Sequence, residues 1–165
     1  MTGVQTCALP IWISSIRPNV IREYVSRSSI VSVMNQYSIV DRRGEEEVFP
    51  LLQEHQISVI ARGPLASGAL AANREPAKGV LDYELDELRE LRRKLQDLET
   101  PERNLTQLAI RYSLAHPAVA VVIPGASSRE QLLQNLAAAE VPELSTKEVE
   151  LIRSLSKANQ YTLHR

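Results

Sequence analysis

The segment VVIPGASSREQLLQN (121–135) sets a Pro-Gly turn and a pair of serines between an apolar run and a polar stretch bearing paired leucines. The apolar run reads as a buried strand and the stretch after it as a helix, so the serines fall at a helix N-terminus. A helix N-terminus presents backbone N–H groups without intrahelical acceptors and the positive end of the helix dipole, which suits an anion. Ser127 and Ser128 add hydroxyl donors, Arg129 adds a positive charge, and Gly125 lets a ligand approach the backbone. Gln131 and Asn135 stand four residues apart and face the same side of that helix. The same residues also satisfy a plain capped turn with Arg129 in solvent. A second stretch, ARGPLASG (61–68), delivers Arg62 from a strand into a Gly-Pro turn. At the carboxyl end of a strand a guanidinium can lie over a planar ring, or it can be an ordinary surface arginine.

These residues need strands and helices to position them, and the two alternate along the chain. WISS reads as the stub of a strand and RPNVIREYVSRS as a short helix. IVSVMNQYSIV, β-branched and aromatic, reads as a strand. EEEVFPLLQEH reads as a helix whose acidic first turn complements the dipole, with Pro50 tolerable near its start. ISVIARGPL is a second apolar strand, and ASGALAANREPAKGV a loop rich in small residues. LDYELDELRELRRKLQDLE is an amphipathic helix with Leu81, Leu85, Leu88, Leu95 and Leu98 on its apolar stripe and its charges on a solvated face. NLTQLAIRYSLAHP puts Leu105, Leu108, Ala109 and Tyr112 on one stripe, and AVAVVIPG is a third buried strand. The last two helices open with capping-box patterns: Ser127 with Glu130 or Ser128 with Gln131, and Ser145 with Glu148.

Apolar strands separated by helices predict an α/β fold with a parallel sheet, either doubly wound or part of a (β/α)-barrel. A closed barrel needs eight such units in about 250 residues. The 165 residues here supply three strands and a stub, too few to close one. Composition narrows the function classes further. Hydrophobic residues make up 44% and charged residues 24%, enough apolar material for a sizeable core. A net charge of -1 argues against a nucleic-acid partner, which needs a basic surplus. No apolar run approaches the roughly 18 residues of a membrane span. The single cysteine, Cys7, cannot form an internal disulfide, which suits a cytoplasmic protein. His55, His116 and His164 lie far apart without metal-ligand spacing, so no metal site is expected.

Taken in order, ISSIRPNVI, VMNQYSIVDRR, EVFPLLQEHQISVIARGPLASG and VVIPGASSREQLLQNLAA resemble the carboxyl-terminal half of an aldo-keto reductase, from about Ile13 onward. The last of these motifs is the most specific. That family is a (β/α)8 barrel that reduces aldehydes and ketones by hydride transfer from NADPH, so the resemblance implies roughly strands 5–8 of such a barrel. It implies cofactor contacts residue by residue. Ser14 and Ser15 match the end of the fifth strand, where the family binds the nicotinamide carboxamide. Met34 stands where many members carry a glutamine for that purpose. Arg62 falls where an aromatic residue often stacks on the nicotinamide. Gly63, Leu65 and Ser67 match the loop that holds the pyrophosphate. Gly125, Ser127, Gln131 and Asn135 match the segment around the adenosine and its 2′-phosphate. Ser127 takes the place of a frequent basic residue, and Arg129 can supply that charge from two positions on. The loop beginning PLASGALAANREPAKG lies where the family shapes its pocket for a small-molecule carbonyl substrate.

The family's catalytic tyrosine, lysine, aspartate and histidine lie on its first four strands, so the resemblance supplies no catalytic residue here. Tyr37, Tyr83 and His55 have no Lys–Asp partners at plausible spacing. Residues 1–12, MTGVQTCALPIW, do not read as the apolar strand that should precede Ile13. They resemble a translated sequencing-library adapter, with Trp12 arising where a spare adapter base meets a glycine codon. The expectation is therefore that residues 13–165 are the carboxyl-terminal half of an NADP-dependent oxidoreductase barrel and residues 1–12 are not native. Unpaired barrel edges then predispose the chain to self-association. Two alternatives remain: a non-catalytic nucleotide-binding half-barrel that dimerises, and a regulatory protein on the same fold without turnover.

Overall fold

The computed structural model describes residues 11–163. Four strands, β1 (Ile11–Ser14), β2 (Ile30–Gln36), β3 (Ser58–Arg62) and β4 (Val119–Ile123), form one parallel sheet in the order β1-β2-β3-β4. Parallel neighbours require crossovers, and helices supply them. Helix α1 (Pro18–Arg27) links β1 to β2, α2 (Val48–Glu54) links β2 to β3, and α3 (Leu85–Gln96) with α4 (Leu105–Leu114) links β3 to β4. Helices α5 (Arg129–Ala137) and α6 (Thr146–Leu155) follow. This is the α/β architecture of an incomplete (β/α)8 barrel. Met1–Pro10, most of the stretch expected to be non-native, lie outside the described residues, whereas Ile11 and Trp12 pair with β2 opposite Ile30 and Ser32.

The core lies between one face of the sheet and the helices. Val33, Val59 and Ala61 meet Ile21 of α1, Phe49 and Leu52 of α2, and Leu108, Ala109 and Tyr112 of α4, all buried. The stripe expected on α4 is therefore the one the fold uses. The opposite face of the sheet is open. Val121 and Ile123 are 48% and 47% exposed there, so β4 is not the buried strand its apolar run predicts. Burial on both faces needs the further strands of a closed barrel.

Three other expectations are refined. The strand expected over 30–40 ends at Gln36; Tyr37–Val40 are buried in a turn closed by an antiparallel bridge between Ser38 and Asp41. Helix α2 starts at Val48 without an acidic first turn, because Arg43–Glu45 forms a separate 3₁₀ turn and Glu45 points into an ion-pair network. Gly44 in that turn admits Phe49: a Cβ there would stand 2.7 Å from the ring. Leu81 and Tyr83 precede α3 rather than ride on it, Leu81 being exposed at φ +50° and Tyr83 buried. The charges of α3 are mostly solvated, but Arg92 lies on the buried stripe with Leu88, Leu91 and Leu95.

Among the described residues no helix is long and apolar enough to cross a membrane, and no cluster of three potential metal ligands occurs.

Candidate cofactor cleft

The carboxyl ends of β3 and β4 open into two loops, and these form the two walls of one cleft. The β3 loop begins at Gly63 (φ +69°) and runs through a tight turn in which Ala66, Ser67 and Gly68 all have positive φ. Non-glycine residues hold that conformation only when their surroundings fix it, so this loop stores backbone strain close to a site. Hydrogen bonds from the N–H of Ala66 to Gly63, of Gly68 to Leu65 and of Ala69 to Ala66 lock the turn. The other wall is the start of α5. Ser128 is its N-cap, the hydroxyl accepting from the Gln131 N–H at 3.2 Å, which selects one of the two expected caps. The Gln131 amide oxygen turns back and accepts from both the N–H and the hydroxyl of Ser127, at 2.8 and 3.0 Å. Asn135, buried to 8% exposure, donates to the Gly125 carbonyl at 3.2 Å and ties the turn to its helix.

Between the walls lies a cleft of about 470 Å³, which brings together seven of the predicted site residues: Gly63, Leu65, Ser67, Gly125, Ser127, Gln131 and Asn135. Ser14, Ser15 and Arg62 line a neighbouring cleft of about 540 Å³. Arg62 precedes Gly63 directly, so the β3 end joins the two. Arg129 lines neither and sits exposed on the first turn of α5. The cation of the cleft between the two loops is Arg74, which lies in the small-residue loop and which the sequence pattern does not single out. Its guanidinium rests against Gly68, where a Cβ would come within 3.0 Å of Nη1. A basic residue within the small-residue loop was the available signal. Asn73 and Gln134 also line the cleft and went unnoticed.

Among the described residues the lining carries one cation, several hydroxyl and amide donors, and no carboxylate. Arg129 and Glu130, in the first turn of α5, have no intrahelical acceptor for their N–H groups. This donor set suits an anion with several oxygens. On the open face of the sheet Gln36 stands opposite Arg62, and Ser14 opposite Met34. Gln36 thus offers an amide two residues from the position where Met34 lacks one.

The buried tyrosines hold their protons tightly. Burial pushes the Tyr37 hydroxyl far up, reinforced by the neighbouring Tyr112 and Glu45, and it donates to Glu45 at 2.7 Å. Burial raises Tyr112 to about 12 and also raises Tyr83 and Tyr161. Tyr83 does have a lysine beside it, but Lys157 Nζ lies over the ring, 4.8 Å from its centroid, and the hydroxyl accepts from the Lys157 backbone N–H. His55 is exposed, while His116 packs edge-on against Phe49 and Tyr37, and burial lowers its pKa.

A four-stranded parallel sheet with helical crossovers and a donor-lined cleft at its strand ends places the chain in the class of (β/α)-barrel α/β proteins. Within that class, residues 11–157 match the aldo/keto reductase family, and the chain belongs to it. It is 46% identical over 160 residues to the uncharacterized oxidoreductase YqkF of Bacillus subtilis, covering 93% of this chain and 52% of that protein. It is 26% identical over 156 residues to the NADH-specific methylglyoxal reductase of Escherichia coli, covering 84% of this chain and 45% of that one. Among solved structures, the holo form of the aldo-keto reductase AKR11C1 from Bacillus halodurans superposes with a TM-score of 0.86 at 50% identity, covering 94% of this chain and 53% of that one. The chain therefore spans about half the length of the relatives it matches.

Proposed function

We propose that this chain is the carboxyl-terminal, cofactor-binding half of an NADPH-dependent aldo-keto reductase that reduces small aldehydes or ketones. The observation that carries the reading is the cleft between the strained β3 loop and the α5 N-terminus, with its single cation and no carboxylate. Gly63, Leu65 and Ser67 would hold the pyrophosphate, while Gly125, Ser127, Gln131 and Asn135 would surround the adenosine end. Ser14, Ser15 and Gln36 would bind the nicotinamide amide and Arg62 would lie against the ring. NADPH, when bound, supplies the hydride. This chain's residues would orient it, and we assign the charge that would neutralise its phosphates to Arg74, which lines the cleft, rather than to Arg129, which does not. The upward-shifted tyrosines support the further reading that the proton donor is not among these residues. We also propose that residues 1–12 are not native sequence and that the protein acts in the cytoplasm.

Calorimetric titration with NADPH and NADH tests the reading. Saturable binding of NADPH at one site, without carbonyl turnover, is the expected result, and absence of binding to both nucleotides overturns it. A second reading, a half-barrel that dimerises, draws on the exposed Val121 and Ile123 and the outer edges of β1 and β4, which pair with no further strand among the described residues. Sedimentation distinguishes it: a discrete dimer that melts cooperatively favours a closed pair, and a monomer or a broad aggregate excludes one.

A further inference from the structure

The Arg92 side chain is the largest among those fully buried in the core. It shares one stripe of α3 with Leu88, Leu91 and Leu95, where a leucine would continue the pattern. Burying a guanidinium is costly unless it is hydrogen-bonded, and here its bonds go to a loop. Nη1 donates to the carbonyls of Ala69 and Ala71 at 3.0 and 2.7 Å, and Nη2 donates to that of Ala72 at 3.0 Å. Nε pairs with Glu75 at 3.2 Å, a residue whose side chain is 72% exposed and screened by water. From α4, Thr106 accepts from the Ala72 N–H at 2.8 Å. The segment held in this way runs directly into Asn73 and Arg74, which line the cleft.

We propose that Arg92 is a positioning residue for the cofactor cleft: its buried guanidinium fixes Ala69–Glu75, and through it Arg74, against the phosphates of the bound ligand. The inference rests on the reading of the cleft as a dinucleotide site. Lysine cannot replace the guanidinium fork, because one nitrogen cannot reach three carbonyls with the same geometry.

The test compares the wild-type chain with Arg92→Leu, Arg92→Lys and Glu75→Gln. Thermal unfolding, amide hydrogen exchange and NADPH affinity are measured on each. Arg92→Leu suits the apolar stripe but leaves the Ala69, Ala71 and Ala72 carbonyls without this donor, so it is expected to unfold below the wild-type temperature. Its amides at 69–74 exchange faster and its NADPH affinity falls roughly tenfold, the scale of one lost charge-assisted contact. Arg92→Lys lies between, and Glu75→Gln binds like the wild type. Unchanged exchange at 69–74 in Arg92→Leu overturns the proposal, as does a loosened segment with unchanged affinity. Should Arg92→Leu fail to fold, Arg92→Lys decides by the same two criteria. A wild-type chain that does not bind NADPH overturns the cleft reading itself, recognisable because the loss precedes any substitution. The exchange data then still decide whether Arg92 holds the segment.

Discussion

Replacing Arg74 and Arg129 by alanine, one at a time, separates the structure's assignment of the cleft cation from the sequence's. Arg74 lines the cleft and Arg129 does not. A guanidinium about 4 Å from a phosphate charge is worth between about 1 kcal/mol in water and about 4 kcal/mol at a protein surface. Arg74 is exposed, so the lower part of that range applies, about 1–2 kcal/mol, or roughly a five- to thirty-fold loss of affinity. Isothermal titration with NADPH measures it directly. Repeating the titration at higher salt should shrink the difference between wild type and Arg74→Ala, since the interaction is screened. NADH adds a second axis. A loss confined to NADPH places Arg74 at the 2′-phosphate, and an equal loss for both nucleotides places it at the pyrophosphate. Arg129→Ala should stay within about twofold of wild type, because a solvated charge outside the site acts only at long range. A loss in Arg129→Ala with none in Arg74→Ala would refute the reasoning.

Gly44→Ala should destabilise the chain by about 1–3 kcal/mol in a denaturant titration, since its Cβ meets the buried Phe49 ring at 2.7 Å. Ser128→Ala removes the α5 N-cap bond and should cost about 1 kcal/mol and weaken NADPH binding together, measured on one preparation. Stability should also fall in acid. Burial alone would raise the Glu45 carboxyl, but hydrogen bonds from Arg42 and Tyr37 outweigh it and hold the group below 4.5. The unfolded chain then binds more protons than the folded one, so this stability is complete above pH 4.5 and is lost as pH falls through the folded value. Glu148, held at about 2 by Arg103 and Ser145, extends the loss to lower pH. Glu45→Gln should flatten the upper part of the acid limb in urea titrations at stepped pH, and an unaltered limb would remove Glu45 from the account.

Local patterns were legible wherever the physics is local. The Ser145–Glu148 capping box, the α4 stripe and the strand–helix alternation depend on residues three or four apart and stand as read, while of the box expected at α5 only the Ser128 cap forms, the Gln131 amide turning to Ser127 instead. The same holds for the two loops at the strand ends, whose glycines and serines mark them out. Where a reading failed, a charge or an apolar side chain had found a partner far along the chain. Glu45 left its expected helix turn for Tyr37, Arg42 and Arg153, the last of these more than a hundred residues away. Arg92 passed for one more solvated charge because its three carbonyl acceptors lie in a loop of no regular pattern.

The sequence by itself determined the order of strands and helices and the N-caps of the last two helices, because hydrophobic period and turn chemistry are written in neighbouring residues, while the family was legible only through the resemblance of its four ordered motifs. Which arginine faces the cleft, which is buried beneath its wall, and which face of β4 stays open were decided only in the tertiary structure. Burial and charge pairing depend on what packs against a residue, and the sheet brings those partners together from opposite ends of the chain.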